Sequence, residues 1–149
     1  MSDQRTHRII PAVWVIITDE RGELFLLKRS NTGWQDGTYC VPSGHIEYME
    51  SPRQAAVREL KEEAGVDAHP DDLEFVHMVY NKSQDGTDTE RTNIFFRLHT
   101  YIGEPFLAEP EKASDAGWFA PDALPELTLT LAHAMEYIDR EEPYSELYY

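Results

Sequence analysis

Gly44-His45-Ile46-Glu47-Tyr48-Met49-Glu50-Ser51-Pro52-Arg53-Gln54-Ala55-Ala56-Val57-Arg58-Glu59-Leu60-Lys61-Glu62-Glu63-Ala64-Gly65-Val66 is the stretch around which the chain is organised. Most of it reads as one short helix. Ser51 is a good N-cap, Pro52 suits the first helical position, and Gln54 completes a Ser-x-x-Gln capping box. Gly65 stands where a helix stops on a left-handed residue. At about 100° per residue, Glu59, Glu62 and Glu63 fall within one narrow arc with Ala55 at its middle. Ala56, Val57, Leu60 and Ala64 fall on roughly the opposite side. The helix is therefore expected to bury one face and to project three carboxylates from the other.

Three carboxylates at these spacings repel one another, by roughly 0.2–0.5 kcal/mol for each i,i+3 or i,i+4 pair. Two readings of the helix stand side by side. One is a hard divalent cation held by oxygen ligands; the other is a solvated acidic face, common in so acidic a chain.

The stretch resembles the Nudix box of the Nudix hydrolases: Gly, five residues, Glu, seven residues, Arg-Glu, an aliphatic residue, any residue, Glu-Glu, any residue, Gly and an aliphatic residue. Gly44, Glu50, Arg58, Glu59, Leu60, Glu62, Glu63, Gly65 and Val66 fill every fixed position. The single-residue requirements alone give a chance match on the order of 10⁻⁹ per start at average amino-acid usage. Weaker similarity runs through Leu26-Leu27-Lys28-Arg29-Ser30, Val41-Pro42, Glu109-Pro110-Glu111-Lys112, Trp118-Phe119 and Leu124-Pro125. These runs are similar to the MutT-type branch, which acts on nucleoside triphosphates.

The chain has 149 residues, of which 41% are hydrophobic and 28% charged, an ordinary balance for one domain with its own core. A single domain over residues 1–149 is expected. No run of 18 apolar residues suggests a membrane span, and residues 1–8 are polar, without the apolar region of a signal peptide. A cytoplasmic location follows by default. The lone Cys40 lies in an apolar run and reads as a buried, inert thiol. A formal net charge of −15 argues against a nucleic-acid polymer as partner. A small polyphosphate would need metal ions and a few placed cations to approach.

Residues 8–18 and 23–29 read as two strands joined by a turn over 19–22, together a hairpin. Strands are expected over 38–41, 73–80, 91–101 and 115–120, with a further short one over 44–47. Loops are expected over 30–37, 67–72, 81–90 and 102–113. A second helix is expected over 130–142, with Leu131, Ala134, Met135 and Ile138 at helical spacing. Strands on either side of a helix, with another helix near the end, suggest a mixed sheet covered by helices. The resemblance implies the same: a Nudix-type α/β/α sandwich. The tail, with Tyr144, Tyr148 and Tyr149, reads either as a homodimer surface or as a free end.

By resemblance, Glu59, Glu62 and Glu63 are the metal ligands and supply the general base, with Mg²⁺ as the ion and Mn²⁺ as its alternative. Arg58 is similar to the family's arginine that orients a carboxylate; spacing alone gives a surface pair with Glu62. Gly44 lets the backbone pass close to the metals and the substrate. Many family members carry a second glycine before it, where this chain has Ser43, whose carbonyl can still act as a ligand. A residue needing positive φ there would be strained as serine. Glu47 and Glu50 are partners for Arg58 or extra ligands. Arg29 resembles a phosphate-contacting position. Glu111 and Asp115 are candidates for a further metal carboxylate, and Trp34, Tyr39, Tyr80 and Phe95 for stacking on a base. His45 reads as a loop or substrate-side residue, since no second histidine stands at ligand spacing.

The resemblance thus implies Mg²⁺-dependent hydrolysis of a small nucleotide, foremost a nucleoside triphosphate to the monophosphate and pyrophosphate. ADP-ribose or another nucleotide sugar is the second expectation. A non-catalytic nucleotide sensor is the third, disfavoured by an intact box.

Overall fold

Ile10–Ile17 forms strand β1, and the chain then builds β2 (Leu24–Arg29), β3 (Tyr39–Cys40), β4 (Ser43–His45), α1 (Pro52–Glu59), β5 (Glu74–Lys82), β6 (Arg91–Leu98), β7 (Ala113–Phe119), α2 (Leu129–Asp139) and β8 (Tyr144–Tyr148) in the computed structural model. Residues 7–84, 86 and 89–149 are described. Of the loop expected over 81–90, residues 85, 87 and 88 lie outside that set. Among the described residues, no helix is long and apolar enough to cross a membrane.

A five-stranded mixed sheet in the order β4-β1-β6-β5-β8 is the central layer. β1 runs parallel to β6 over its whole length, while β6 and β5 are antiparallel. Alternation along β1 supplies both faces. Val13, Val15 and Ile17 meet Ala55, Ala56, Leu60 and Ala64 on one side. Trp14 and Ile16 meet Leu131, Ala134 and Ile138 of α2 on the other. The sheet therefore lies between α1 and α2, as the sandwich expectation requires. Small alanines on α1 let its backbone come close to the sheet.

The expected hairpin does not form. Asp19 builds the turn, accepting from the N–H groups of Arg21 and Glu23. After one bridge between Thr18 and Leu24, however, the two strands part. β2 joins a second sheet in the order β3-β2-β7. Both strands are apolar on both sides, so each is buried on both sides and each can take a different neighbour. Their divergence leaves a cleft between the sheets, and that cleft is the pocket described below.

The helix begins as read. Ser51 caps Gln54 N–H, and the Gln54 side chain returns a bond to Ser51 N–H at 2.9 Å. Beyond Glu59 the helix widens into a π-helical turn over Leu60–Ala64 and stops at Gly65, whose φ is +69°. The straight-helix wheel therefore does not hold past Glu59. Ala55, expected amid an exposed acidic arc, is fully buried, and Glu59 is only 8% exposed. The tail is neither loose nor helical: β8 pairs in parallel with β5 and forms the sheet's edge, with Tyr144 and Tyr148 half-exposed.

A Cβ at Gly65 would run into the Phe106 ring, and its φ is one that L side chains rarely adopt. Gly65→Ala is expected to lower unfolding stability by roughly 1–3 kcal/mol, read from urea denaturation with an unchanged m-value.

Candidate active site

The guanidinium of Arg58 is the hub of the site. It meets Glu50 in a two-pronged pair, Nε to Oε2 at 2.8 Å and one terminal nitrogen to Oε1 at 3.0 Å. The other terminal nitrogen donates to Glu59 Oε1 at 2.7 Å and reaches Glu62 at 3.4 Å and Glu47 at 3.7 Å. A further bond goes to the His45 carbonyl at 3.0 Å. The i,i+4 pair with Glu62 exists but is the weaker part of a wider network. Glu50 is held below the usual carboxylate range by its Arg58 hydrogen bonds. Arg58 itself is pushed up, first by the Glu50 bonds.

Gly44 faces the Glu59 carboxylate so closely that a Cβ would overlap it. Its backbone is not left-handed, so close approach, rather than an unusual φ, is what demands glycine here. Ser43 is not in the left-handed region either, and the missing second glycine costs no strain. The Ser43 N–H donates to Glu63 Oε2 at 2.9 Å, tying the loop to the π turn. Burial pushes the Glu59 carboxyl up against the pull of Arg58, and the charges of Glu62 and Glu109 add to the rise. Glu63 is raised to about 8, by burial first and by Glu59 next. Its side chain retains some exposure along the pocket, but its carboxylate is crowded by other acids. Glu62 points outward, 49% exposed. Of the three expected carboxylates, Glu59 and Glu63 thus line the pocket and Glu62 does not.

The loop after β6 docks on the π turn. Phe106 N–H donates to Ala64 O at 3.1 Å and Ala108 N–H to Glu63 O at 3.2 Å, using carbonyls that the helix end leaves open. This docking brings Glu109 to the wall of the pocket, and its charge raises both Glu59 and Glu63. Glu109 Oε1 is buried without a hydrogen-bond partner. Beyond the box, the carboxylate on the pocket wall is Glu109, and neither Glu111 nor Asp115 lines the pocket. Glu111 is exposed, and Asp115 accepts from the Tyr39 hydroxyl at 2.7 Å. The sequence offered a signal, since Glu109 opens the Glu-Pro-Glu-Lys run, but nothing local ranks Glu109 above Glu111.

The pocket has a volume of about 620 Å³ and extends from these carboxylates across β1 to β6. Arg29, Arg58, Arg91 and Lys112 line it, four of the chain's 13 Lys and Arg residues, so cations are concentrated where the acids are. Arg29 lies on the wall but is occupied: Nε donates to Trp34 O and a terminal nitrogen to Thr32 Oγ1, both at 2.8 Å. Its guanidinium stacks 4.9 Å above the Trp34 ring, which also lines the pocket. His45 lies on the wall, its pKa lowered by burial and then by Arg91. Phe95 is fully buried behind Trp14, Tyr39 packs edge-on against Phe119, and Tyr80 does not line the pocket. Trp14 and Asn93 do line it, and sequence reasoning missed both because residues inside an apolar strand read as core.

The NUDIX domain model matches residues 8–140. The chain belongs to the Nudix family. It is 35% identical over 124 residues to the NAD-capped RNA hydrolase NudC of Stutzerimonas stutzeri (strain A1501), covering 83% of this chain and 41% of that protein. It is 33% identical over 122 residues to the 8-oxo-dGTP diphosphatase of Haemophilus influenzae (strain ATCC 51907 / DSM 11121 / KW20 / Rd), covering 76% of this chain and 85% of that one. The chain spans less than half the length of the NudC relatives it matches. In fold it matches a MutT NUDIX hydrolase from Burkholderia pseudomallei with a TM-score of 0.79 and 25% identity, over 87% of this chain and 98% of that one.

The Nudix box of this chain suits a hard cation chemically. Its donors are oxygens, Glu59 and Glu63 are both raised by burial first and by neighbouring acids next, and Glu109 Oε1 lacks a hydrogen-bond partner. As they lie, no three His, Cys, Asp or Glu side chains among the described residues already enclose one ion.

Two outcomes follow from this geometry. Gly44→Ala is expected to push Glu59 aside and lower kcat by about 10²-fold or more, with an unchanged circular dichroism spectrum. In metal-free protein, Glu63 must ionise in a crowded site, so it destabilises the fold increasingly from its unfolded pKa of about 4.5 up to pH 8. Glu63→Gln should therefore melt about 3 °C or more above wild type at pH 8, with the gap closing by pH 5.

Proposed function

We propose that this chain is a divalent-cation-dependent pyrophosphohydrolase that cleaves a nucleoside triphosphate to the monophosphate and pyrophosphate. The observation that carries the reading is a pocket walled by Glu59, Glu63 and Glu109 at one end, with Arg29 and Lys112 beside them and aromatic rings beyond. Coverage of most of the 8-oxo-dGTP diphosphatase relative supports a small triphosphate as substrate. In the acidic whole, with net charge −15, a polyphosphate stays beside these carboxylates only with cations between them.

Glu59, Glu62 and Glu63 would hold Mg²⁺, or Mn²⁺ in its place, with Glu109 and the Ser43 carbonyl as additional oxygens. When bound, such an ion polarises phosphoryl oxygens and lowers the pKa of a coordinated water. Arg58 keeps Glu59 pointed into the pocket, and Glu50 keeps Arg58 in place. Lys112 and Arg29 add positive charge for the departing phosphates. A carboxylate of the box takes the proton of the attacking water.

A dinucleotide substrate is the second reading, favoured by the similarity to NAD-capped RNA hydrolases over the matched region. The charge balance still disfavours a nucleic-acid polymer as partner.

The test is a panel of deoxynucleoside triphosphates, ADP-ribose and NAD, with Mg²⁺ or with chelator. A triphosphate is expected to turn over fastest, releasing pyrophosphate, and chelator is expected to abolish turnover. Glu62→Gln and Glu63→Gln should each lower kcat by about 10²-fold or more. Faster turnover of ADP-ribose or NAD than of every triphosphate would select the second reading. Undiminished turnover in both variants would remove the box from the mechanism.

A further inference from the structure

Behind the pocket, four buried polar side chains form a directed chain of hydrogen bonds. Trp14 Nε1 donates to Asn93 Oδ1 at 2.9 Å. Asn93 Nδ2 donates to Asn81 Oδ1 at 3.0 Å and to the Val79 carbonyl at 3.2 Å. Asn81 Nδ2 donates in turn to Thr130 Oγ1, at 3.1 Å, at the start of α2. Trp14 is 6% exposed, and the other three are 1% exposed.

The direction of this chain is set by chemistry. An indole N–H can only donate. Reversing the Asn93 amide would set its NH₂ against the Trp14 N–H and its oxygen against the Val79 carbonyl. Asn81 follows, because its oxygen must receive from Asn93, and its NH₂ is then committed to Thr130. Both N–H groups of Asn93 are thus used. What its side chain still offers is acceptor capacity on Oδ1.

Such a network is costly in a core, where apolar residues of similar size would pack as well. Its place explains it better than stability does. Asn93 and Trp14 line the pocket, two strand spacings, roughly 10 Å, across the sheet from β4 and its carboxylate neighbours. This is where the part of a nucleotide remote from its phosphates would lie.

We propose that Asn93 is a specificity-determining residue that reads the nucleobase by accepting a hydrogen bond from a base N–H, its amide locked in the accepting orientation by the Trp14 N–H and the Val79 carbonyl, with Asn81 and Thr130 satisfying the rest of the network. The proposal rests on the nucleotide reading above. A base that offers an N–H at this wall, from a ring nitrogen or an exocyclic amine, is accepted. A base offering only acceptors there leaves two lone pairs facing each other away from water, which a buried site rejects.

Affinity for nucleoside monophosphates tests this without turnover. Calorimetric titration of the four deoxynucleoside monophosphates identifies the preferred base. The same compound is then titrated with its N–H groups methylated: N1-methyl with a dimethylated N2 amine for guanine, N3-methyl for thymine, and dimethylated amines for adenine and cytosine. Methylation is expected to weaken wild-type binding at least tenfold. Asn93→Leu should bind the two forms within a factor of two. Equal binding of both forms by wild type, no measurable binding of any monophosphate, or full discrimination in Asn93→Leu would overturn the proposal. Discrimination that persists in a protein hydrolysing none of the panel above would leave the base-reading role standing while the hydrolase reading fell.

Discussion

One guanidinium holds the site together. Glu47, Glu50, Glu59 and Glu62 all lie within 4 Å of Arg58 nitrogens, and the His45 carbonyl completes the ring. Without that cation, a helix and loop carrying so many acids would repel each other. With it, the loop after β4 and the helix α1 become one rigid body. The two-pronged contact to Glu50 matters because the planar fork of arginine fixes direction as well as distance, which a lysine would not do. Arg58 does not neutralise everything. Glu63 stays crowded and raised, and Glu109, though paired to Lys112 through one oxygen, leaves its other oxygen without a hydrogen-bond partner.

The second constraint is the divergence of β1 and β2. Had they stayed paired as a hairpin, the cleft between the sheets would have no opening. By separating after Thr18 and Leu24 they place Trp14 on one wall and Leu27 and Arg29 on another. The pocket therefore takes walls from both sheets, with Trp34 on the loop after β2 and the carboxylates on the helix and the loop that docks on it.

What the sequence made legible was mostly local. The capping box, the stop at Gly65 and most strand positions follow from neighbours a few residues apart and lie within a residue or two of where they were expected, although β6 ends three residues early and β8 was not foreseen. The box residues were legible because their order along one helix and one loop is itself the signal. The partner of β1 was not, since apolar strands buried on both faces carry no mark of which strand lies beside them. Glu109 was missed because its place depends on Phe106 and Ala108 docking on the carbonyls of a distant helix end. Asn93 was missed because a polar residue in a strand gives no sign of whether its side chain faces water or a buried partner, and Asn81 because it was expected to open a loop where β5 in fact runs on to Lys82. The π turn was invisible for a related reason: nothing in Leu60–Ala64 departs from good helix-forming composition.

That π turn also bears on how such a site can change over time. Five residues occupy an arc that a tighter winding would cover with fewer, and the angular offset between Glu59 and Glu63 is stored in that slack. Point substitutions leave the slack alone. A one-residue deletion between Leu60 and Ala64 would take it up, rotating everything upstream against the docked loop that carries Glu109. The geometry of this site is thus guarded as a count of residues as well as by their kinds, and shortening the helix would be a more drastic evolutionary step than exchanging any apolar residue within it.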